Sequence, residues 1–189
     1  MSDLAKYIDH TLLKPDATRA QIETLCAEAA EHNFATVCVN GSRVELAYSL
    51  LEESDVQVAT VVGFPLGAME ADVKRYETEA AIDAGAGEID MVMNVGRFKD
   101  GDLDFVVREI RDVVEAADDR VVKVILETCL LTDDEIVQAA ADFICRDMKH
   151  QYLGCRPSDK FFRKMSKLGE SIVDGGFKSL AGIEADEIL

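Results

Sequence analysis

The sequence predicts an α/β fold in which helices cover a parallel β-sheet. Short apolar runs rich in β-branched residues alternate with longer segments of helical periodicity, at a spacing of about 25–30 residues. Several predicted strands carry one apolar face and one face dotted with polar side chains. With 189 residues, 48% of them hydrophobic, the chain is long enough to form one domain, residues 1–189, with a substantial core.

Two closed architectures satisfy this alternation: a doubly wound sheet and a (β/α)8 barrel. A dinucleotide-binding doubly wound fold requires a Gly-x-Gly-x-x-Gly turn after its first strand, and the sequence has none there. The stretch GFPLGAM (63–69) does not match a Walker loop either. Both architectures remain open at this point.

The individual elements follow from capping and periodicity. Capping boxes at Thr18, Ser42 and Thr132 predict three helix starts, because a Ser or Thr side chain is followed three residues later by Glu or Gln. The first two helices are predicted to end near residues 32 and 53. Helical spacing predicts two more helices at roughly 68–85 and 102–117, and the predicted strands are 35–40, 56–64, 88–95 and 121–128.

Composition excludes several classes of function. The formal net charge of −17 argues against nucleic acid or an anionic membrane as partner. No run of about 18 apolar residues is present, so no membrane span is expected. The N-terminus lacks a basic region followed by an apolar one, so we expect no signal peptide and a cytoplasmic location. Five cysteines at irregular spacing are typical of reduced thiols.

The polar strand faces contain the candidate catalytic residues. Asp90 lies on the polar face of the strand EIDMVMNV, and Lys123 on that of VVKVILET. Inside a barrel these faces converge near the carboxyl ends of the strands, where Asp90 could meet Lys123 and Lys178. A carboxylate beside buried amines suits Schiff-base chemistry, which needs a neutral lysine and a positioned proton carrier. Alternatively, each residue could form a structural ion pair or lie at a strand end in water.

Five stretches of the chain resemble a known family in order and spacing: YIDHTLLKPDAT, ATVCVN, ATVVGFPLGA, EIDMVMNVG and VKVILETCLLTDDEI. They are similar to the deoxyribose-phosphate aldolases, which are class I aldolases, and the resemblance runs from about residue 7 to residue 138. It implies a (β/α)8 TIM-type barrel and reversible cleavage of 2-deoxy-D-ribose 5-phosphate to D-glyceraldehyde 3-phosphate and acetaldehyde. It also implies a lysine imine as electron sink, with no metal or organic cofactor.

The resemblance assigns roles to individual residues. Asp90 matches the acid/base aspartate, and Lys123 matches a lysine that lines the site. Lys178, in GFKSLAGI, matches the second functional lysine, which lowers the pKa of the nucleophile. Four further residues match substrate-binding positions: Asp9, Thr11, Cys38 and Gly182.

The sequence departs from the family pattern after Val137, so that residues 139–189 are predicted to diverge. Cys145 stands where the imine lysine belongs, and the family's Thr-Ser-Thr-Gly does not follow it. About ten helical residues are expected to be missing before Ala141, and the sequence ends at Leu189 before the family's eighth strand and last helix. We therefore expect an incomplete barrel. Lys149, four residues beyond Cys145, is a conceivable replacement nucleophile.

Three hypotheses remain open at the level of sequence. The chain is an aldolase with weak or absent activity, because a thiol cannot form an imine. Alternatively, it is a remnant barrel that only binds a small phosphorylated sugar, or a subunit completed by another chain, for example in a homodimer. Under the last hypothesis, the C-terminal third of the chain does not derive from the family, and the chain folds poorly.

Overall fold

The computed structural model describes residues 3–146 and 151–153, and the side chains of residues 4–140. Its centre is one parallel sheet of six strands: β1 (Asp9–Leu12), β2 (Thr36–Val39), β3 (Gln57–Val62), β4 (Glu88–Val92), β5 (Val121–Ile125) and β6 (Gln151–Leu153). Each strand pairs with the next one in the chain, so the spatial order is β1-β2-β3-β4-β5-β6. A doubly wound sheet reverses direction at a switch point, whereas a barrel adds strands in sequence order. The predicted TIM-type barrel is therefore confirmed, and the doubly wound alternative is wrong.

Helices connect the strands and cover the outside of the sheet. They are α1 (Arg19–His32), α2 (Val44–Leu51), α3 (Ala71–Asp83), α4 (Val95–Lys99), α5 (Leu103–Ala117) and α6 (Asp133–Arg146). Short 3₁₀ turns occupy Asp3–Tyr7, Gly41–Arg43 and Thr128–Leu130. Within the described part of the chain, no helix has both the length and the apolar character needed to cross a membrane.

Two of the three predicted capping boxes form. Thr18 and Gln21 exchange their side-chain and backbone hydrogen bonds at the start of α1. The Thr132 amide donates to Glu135 at 2.7 Å, and the Glu135 amide donates back to the Thr132 hydroxyl at 3.3 Å. The prediction at Ser42 was wrong, because Gly41–Arg43 form a 3₁₀ turn and α2 begins at Val44.

The alternation of side chains along the strands separates two environments. Outward-facing residues such as Val37, Ile89, Met91 and Val124 belong to the large apolar core between sheet and helices. The inner face holds a small apolar cluster of Cys38, Ala59 and Val61, together with the polar residues described below. Helix packing therefore stabilises one face of the sheet and leaves the other for chemistry.

Helix α6 runs without interruption from Asp133 to Arg146. Its continuity does not test the expected loss of about ten helical residues relative to the family before Ala141, which stays a prediction. Three consecutive alanines follow a satisfied capping box, and no glycine or proline interrupts the segment. Cys145 consequently lies in the last turn of a helix rather than at a strand end. The predictions about an eighth strand and a last helix fall outside the described residues.

A tight loop after β3 packs against the end of β4. The Gly67 amide donates to the Gly63 carbonyl at 2.7 Å, and Gly67 adopts a φ of +64°. A Cβ at Gly67 would overlap the Met93 carbonyl oxygen and lie 2.9 Å from the side chain of Val92. This loop can therefore approach β4 closely only because residue 67 is glycine.

We predict that Gly67→Ala lowers the free energy of unfolding by about 3 kcal/mol, from left-handed strain and steric overlap together. Gly101→Ala is the matched control, because Gly101 also has a positive φ (+77°) but nothing within 4 Å of its Cβ position. Left-handed backbone strain alone should lower the free energy of unfolding of Gly101→Ala by about 1 kcal/mol. Urea unfolding measures both variants, and equal losses would contradict the close approach.

Candidate active site

A single lysine ammonium lies among three carboxylates on the inner face of the barrel. Lys123 Nζ donates to Asp9 Oδ2 at 2.9 Å, and it forms ion pairs with Glu88 Oε2 at 2.9 Å and Asp90 Oδ1 at 3.3 Å. Lys123 is 5% exposed and Asp90 is 4% exposed. We call these four residues, Asp9, Glu88, Asp90 and Lys123, the Lys123 cluster.

Strand register explains part of the arrangement. Asp90 on β4 is directly paired with Lys123 on β5, and Glu88 precedes Asp90 by two residues, so all three side chains share one face. Asp9 on β1 is paired with Thr36 on β2, whose hydroxyl donates to Asp9 Oδ1 at 2.7 Å. The Thr36 hydrogen bond leaves Asp9 Oδ2 free to accept from Lys123.

The contact between Asp9 and Lys123 requires the sheet to be curled. These residues lie on β1 and β5, which are four positions apart in the sheet order. In a flat sheet such strands would be about 19 Å apart, well beyond the reach of an Asp and a Lys side chain. Their 2.9 Å contact therefore shows that the described strands curve around a common interior.

The cluster holds Lys123 in its charged form. Burial alone would lower the pKa of Lys123, but the hydrogen bond to Asp9 and the charges of Asp90 and Glu88 outweigh it and raise the pKa above the usual lysine value. An ammonium with a raised pKa is not a nucleophile. Lys123 therefore serves as a fixed positive charge that keeps three carboxylates together.

Asp90 is the member of the cluster best suited to move protons. Burial raises its pKa, the Lys123 charge opposes that rise, and the charges of Asp9 and Glu88 add to it. Asp90 Oδ1 is buried, and its 3.3 Å contact with Lys123 is longer than those of Asp9 and Glu88 and uses at most one of its two lone pairs, so it retains acceptor capacity. A raised pKa makes a carboxylate a better proton acceptor than an ordinary aspartate.

Cys38 lies beside this carboxylate as a neutral thiol. Its Sγ donates to Asp90 Oδ2 at 3.7 Å. Burial, together with the negative charge of Asp90, raises the pKa of Cys38 to about 12. Because the thiolate is the reactive form, Cys38 acts here as a weak donor and packing group.

The structure brings together most of the described residues that the sequence singled out. Asp9, Asp90 and Lys123 are in direct contact, and Cys38 contacts Asp90. Thr11 is exposed, and its hydroxyl donates to the Asp9 backbone carbonyl at 2.8 Å rather than to a cluster side chain. Lys178 and Gly182 lie outside the described residues, and for Cys145 only the helical backbone is described.

Two features of the site were missed from the sequence. Glu88 was assigned to the polar face of its strand but not to the site, although its i, i+2 spacing to Asp90 was a usable signal. Thr36, which orients Asp9, shares its strand face with Cys38 in the same way. The described residues contain no group of side chains arranged to bind a metal ion.

We predict that Lys123→Met lowers the free energy of unfolding by about 3–5 kcal/mol at pH 7, because it leaves buried carboxylates without their cation. Without Lys123 the raised pKa of Asp90 rises further, so the folded state binds protons more tightly than the unfolded state. The deficit relative to wild type should therefore be largest near neutral pH and shrink toward pH 4.

Lys99→Met is the control for this measurement. Lys99 pairs with Glu135 at 3.1 Å, but both side chains are partly exposed, so its loss should cost less than about 1 kcal/mol. Denaturant unfolding at several pH values compares the two variants. A Lys123→Met deficit independent of pH would contradict the electrostatic account.

Comparisons with known proteins place the chain in a family. Residues 4–151 match the model of the DeoC/LacD family aldolases. A deoxyribose-phosphate aldolase of Clostridium perfringens is 48% identical over 192 aligned residues, covering 96% of this chain and 86% of its own length. That match extends past residue 138, beyond which the motif-by-motif resemblance weakens.

Solved structures give the same assignment. A Coccidioides immitis protein, provisionally assigned as a deoxyribose-phosphate aldolase, is 38% identical with a TM-score of 0.81, covering 89% of this chain and 68% of that one. The deoxyribose phosphate aldolase of Aeropyrum pernix, described as a tetramer, is 31% identical with a TM-score of 0.64, covering 75% of this chain and 61% of that one. Sequence and fold agree that the chain belongs to the DeoC/LacD family of aldolases.

Proposed function

We propose that the chain is a deoxyribose-phosphate aldolase, which reversibly cleaves 2-deoxy-D-ribose 5-phosphate to D-glyceraldehyde 3-phosphate and acetaldehyde. The observation that carries the proposal is the Lys123 cluster, in which the buried Asp90 carboxylate, with a raised pKa, lies 3.3 Å from a fixed ammonium. The names of the relatives supply the substrate class.

In the proposed reaction, a lysine amine condenses with the C1 aldehyde of the sugar and releases water. A base then removes the proton of the C3 hydroxyl, the bond between C2 and C3 breaks, and its electron pair moves into the iminium. Protonation at C2 and hydrolysis of the new imine release acetaldehyde. We assign the proton transfers to Asp90, because its pKa is raised and its Oδ1 can accept.

The imine must form on an amine other than Lys123, which the three carboxylates keep protonated. Among the described lysines, Lys74 has a lowered pKa, but its side chain is fully buried and paired with Glu109. We therefore assign the imine to an amine outside the described residues, with Lys178 and Lys149 as the candidates. The two candidates can be separated by covalent trapping.

A second candidate function is binding of a phosphorylated sugar without cleavage. What favours it is the family resemblance, which puts Cys145 at the position of the imine lysine. A thiol could add to an aldehyde as a thiohemiacetal, but that adduct offers no iminium to accept the electron pair. Such a chain would keep the Lys123 cluster and lack turnover.

We also propose that the protein works in the cytoplasm as a homodimer. Cys26 and Cys38 are buried free thiols, in keeping with a reducing compartment. The Aeropyrum pernix relative is an oligomer, which supports self-association within this fold. Light scattering on the purified protein tests the assembly.

We predict that acetaldehyde with borohydride leaves one reduced imine, an added ethyl group on Lys178 or Lys149, detectable by peptide mass spectrometry. Lys123 and Cys145 should remain unmodified. Lys178→Met and Lys149→Met, made separately, identify the amine by loss of the adduct. If no adduct forms and the phosphorylated sugar raises the melting temperature, cleavage is rejected and the binding function is supported. Recovery of cleavage in Cys145→Lys would then show that the thiol at residue 145 causes the loss of activity.

We predict that Asp90→Asn lowers kcat/KM for sugar cleavage by roughly 10²–10⁴, the usual contribution of a general acid or base. Asp119→Asn is the matched control, because Asp119 is exposed in the turn before β5 and should retain wild-type activity. An assay of glyceraldehyde 3-phosphate formation measures both. Activity of Asp90→Asn within a few-fold of wild type would exclude Asp90 as the proton carrier.

A further inference from the structure

A second buried ion pair lies on the outer side of the sheet, between helices α3 and α5. Lys74 Nζ is 2.8 Å from Glu109 Oε1, and both side chains are fully buried. Neither residue belongs to the Lys123 cluster, and the proposed reaction does not use them. We call Lys74 and Glu109 the anchor pair.

The anchor pair contacts the backbone where β4 ends. Lys74 Nζ donates to the Val92 carbonyl at 2.8 Å, two residues beyond Asp90. Burial raises the pKa of Glu109, and the charge and hydrogen bond of Lys74 oppose that rise. Lys74 thus binds the last carbonyl of the strand, and Glu109 holds the lysine in the position from which it reaches that carbonyl.

The same lysine also passes the end of β3. A Cβ at Gly63 would come within 2.8 Å of Lys74 Cε, so the absence of a side chain there makes room for the lysine stem. The Gly63 amide donates to Glu77 Oε2 at 2.8 Å, one helical turn along α3. Helix α3 therefore holds the carboxyl ends of two neighbouring strands.

A buried ion pair contributes little net free energy to the stability of a fold. Two charges lose their hydration, and apolar residues of similar volume often give equal or greater stability. The directed hydrogen bond from Lys74 to the Val92 carbonyl is what an apolar pair would not reproduce. This difference points to a role in geometry rather than in stability.

We propose that Lys74 and Glu109 are positioning residues, which fix the end of β4 so that the Asp90 carboxylate stays in contact with Lys123. The inference rests on the proposed function in so far as Asp90 carries protons. Asp90 is faced by Lys123 from β5, Asp9 from β1, Cys38 from β2 and Glu88 from its own strand. A shift of β4 would change these distances together, and the pKa of Asp90 reports the result.

The test compares Asp90 pKa values by carboxyl carbon NMR titration, with the Asp90 signal assigned by its loss in Asp90→Asn. In Lys74→Met and in Lys74→Met/Glu109→Leu the Val92 contact is gone, and we expect the Asp90 pKa to rise by about one unit as the Lys123 charge moves away. Glu109→Gln keeps an acceptor for Lys74 and a Lys74 amine that can still donate to Val92. Its Asp90 pKa should therefore stay near the wild-type value.

Arg75→Met/Glu79→Gln is the matched control, since this pair at 2.9 Å lies on the same helix but is about half exposed. An unchanged Asp90 pKa in folded Lys74→Met and in the double variant would overturn the proposal, and so would failure of both to fold, which would make the pair structural. The readout needs no turnover. An inactive wild type would refute the proposed function and leave this test intact.

Discussion

One buried ammonium on β5 organises the interior of this protein, because it binds carboxylates from strands that are not neighbours. Asp9 comes from β1, Glu88 and Asp90 come from β4, and all three contact Lys123 within 3.3 Å. Without a cation at their centre, three carboxylates at this spacing would repel one another and remain partly protonated. The curvature of the sheet and the charge of Lys123 are therefore mutually dependent: the barrel brings Asp9 to the lysine, and the lysine makes it possible for Asp9 to be there.

Because side chains alternate between the two faces of a strand, the residues of the inner face could be predicted from the sequence. The residues that were missed have physical reasons. Asp90 and Lys123 interrupt apolar runs, so they stand out in the sequence, whereas Glu88 lies at the start of its strand and looks like a solvated end. Lys74 stands among charged neighbours on α3, and helical periodicity does not tell which charged residue turns inward. The Ser42 box failed because a 3₁₀ turn occupies those residues.

The charge balance of the site restricts how a phosphorylated sugar can bind. The Lys123 cluster contains one cation and three acidic groups, so it does not favour a phosphate dianion nearby. The carbonyl end of the substrate is the part that suits this environment, because hydroxyl groups can donate to the carboxylates. The phosphate must then contact another part of the barrel mouth, so the groups that bind the phosphate differ from the group that transfers the proton. The acidic surplus of the whole chain makes that separation more important, since the general field repels anions.

Strand β4 lies between two groups of ion pairs, the Lys123 cluster on its inner side and the anchor pair on its outer side. On the inner side, Asp90 Oδ1 has one 3.3 Å contact with Lys123 and a second lone pair that can accept a proton. On the outer side, Lys74 binds the strand backbone at Val92 and no side chain of the cluster.

A catalytic carboxylate must titrate without moving, but any change in its charge alters the forces that hold it. If its position depended only on its attraction to Lys123, protonation would release it. The hydrogen bond from Lys74 to the Val92 carbonyl does not involve the group that titrates, so the anchor pair can keep Asp90 in place in both protonation states.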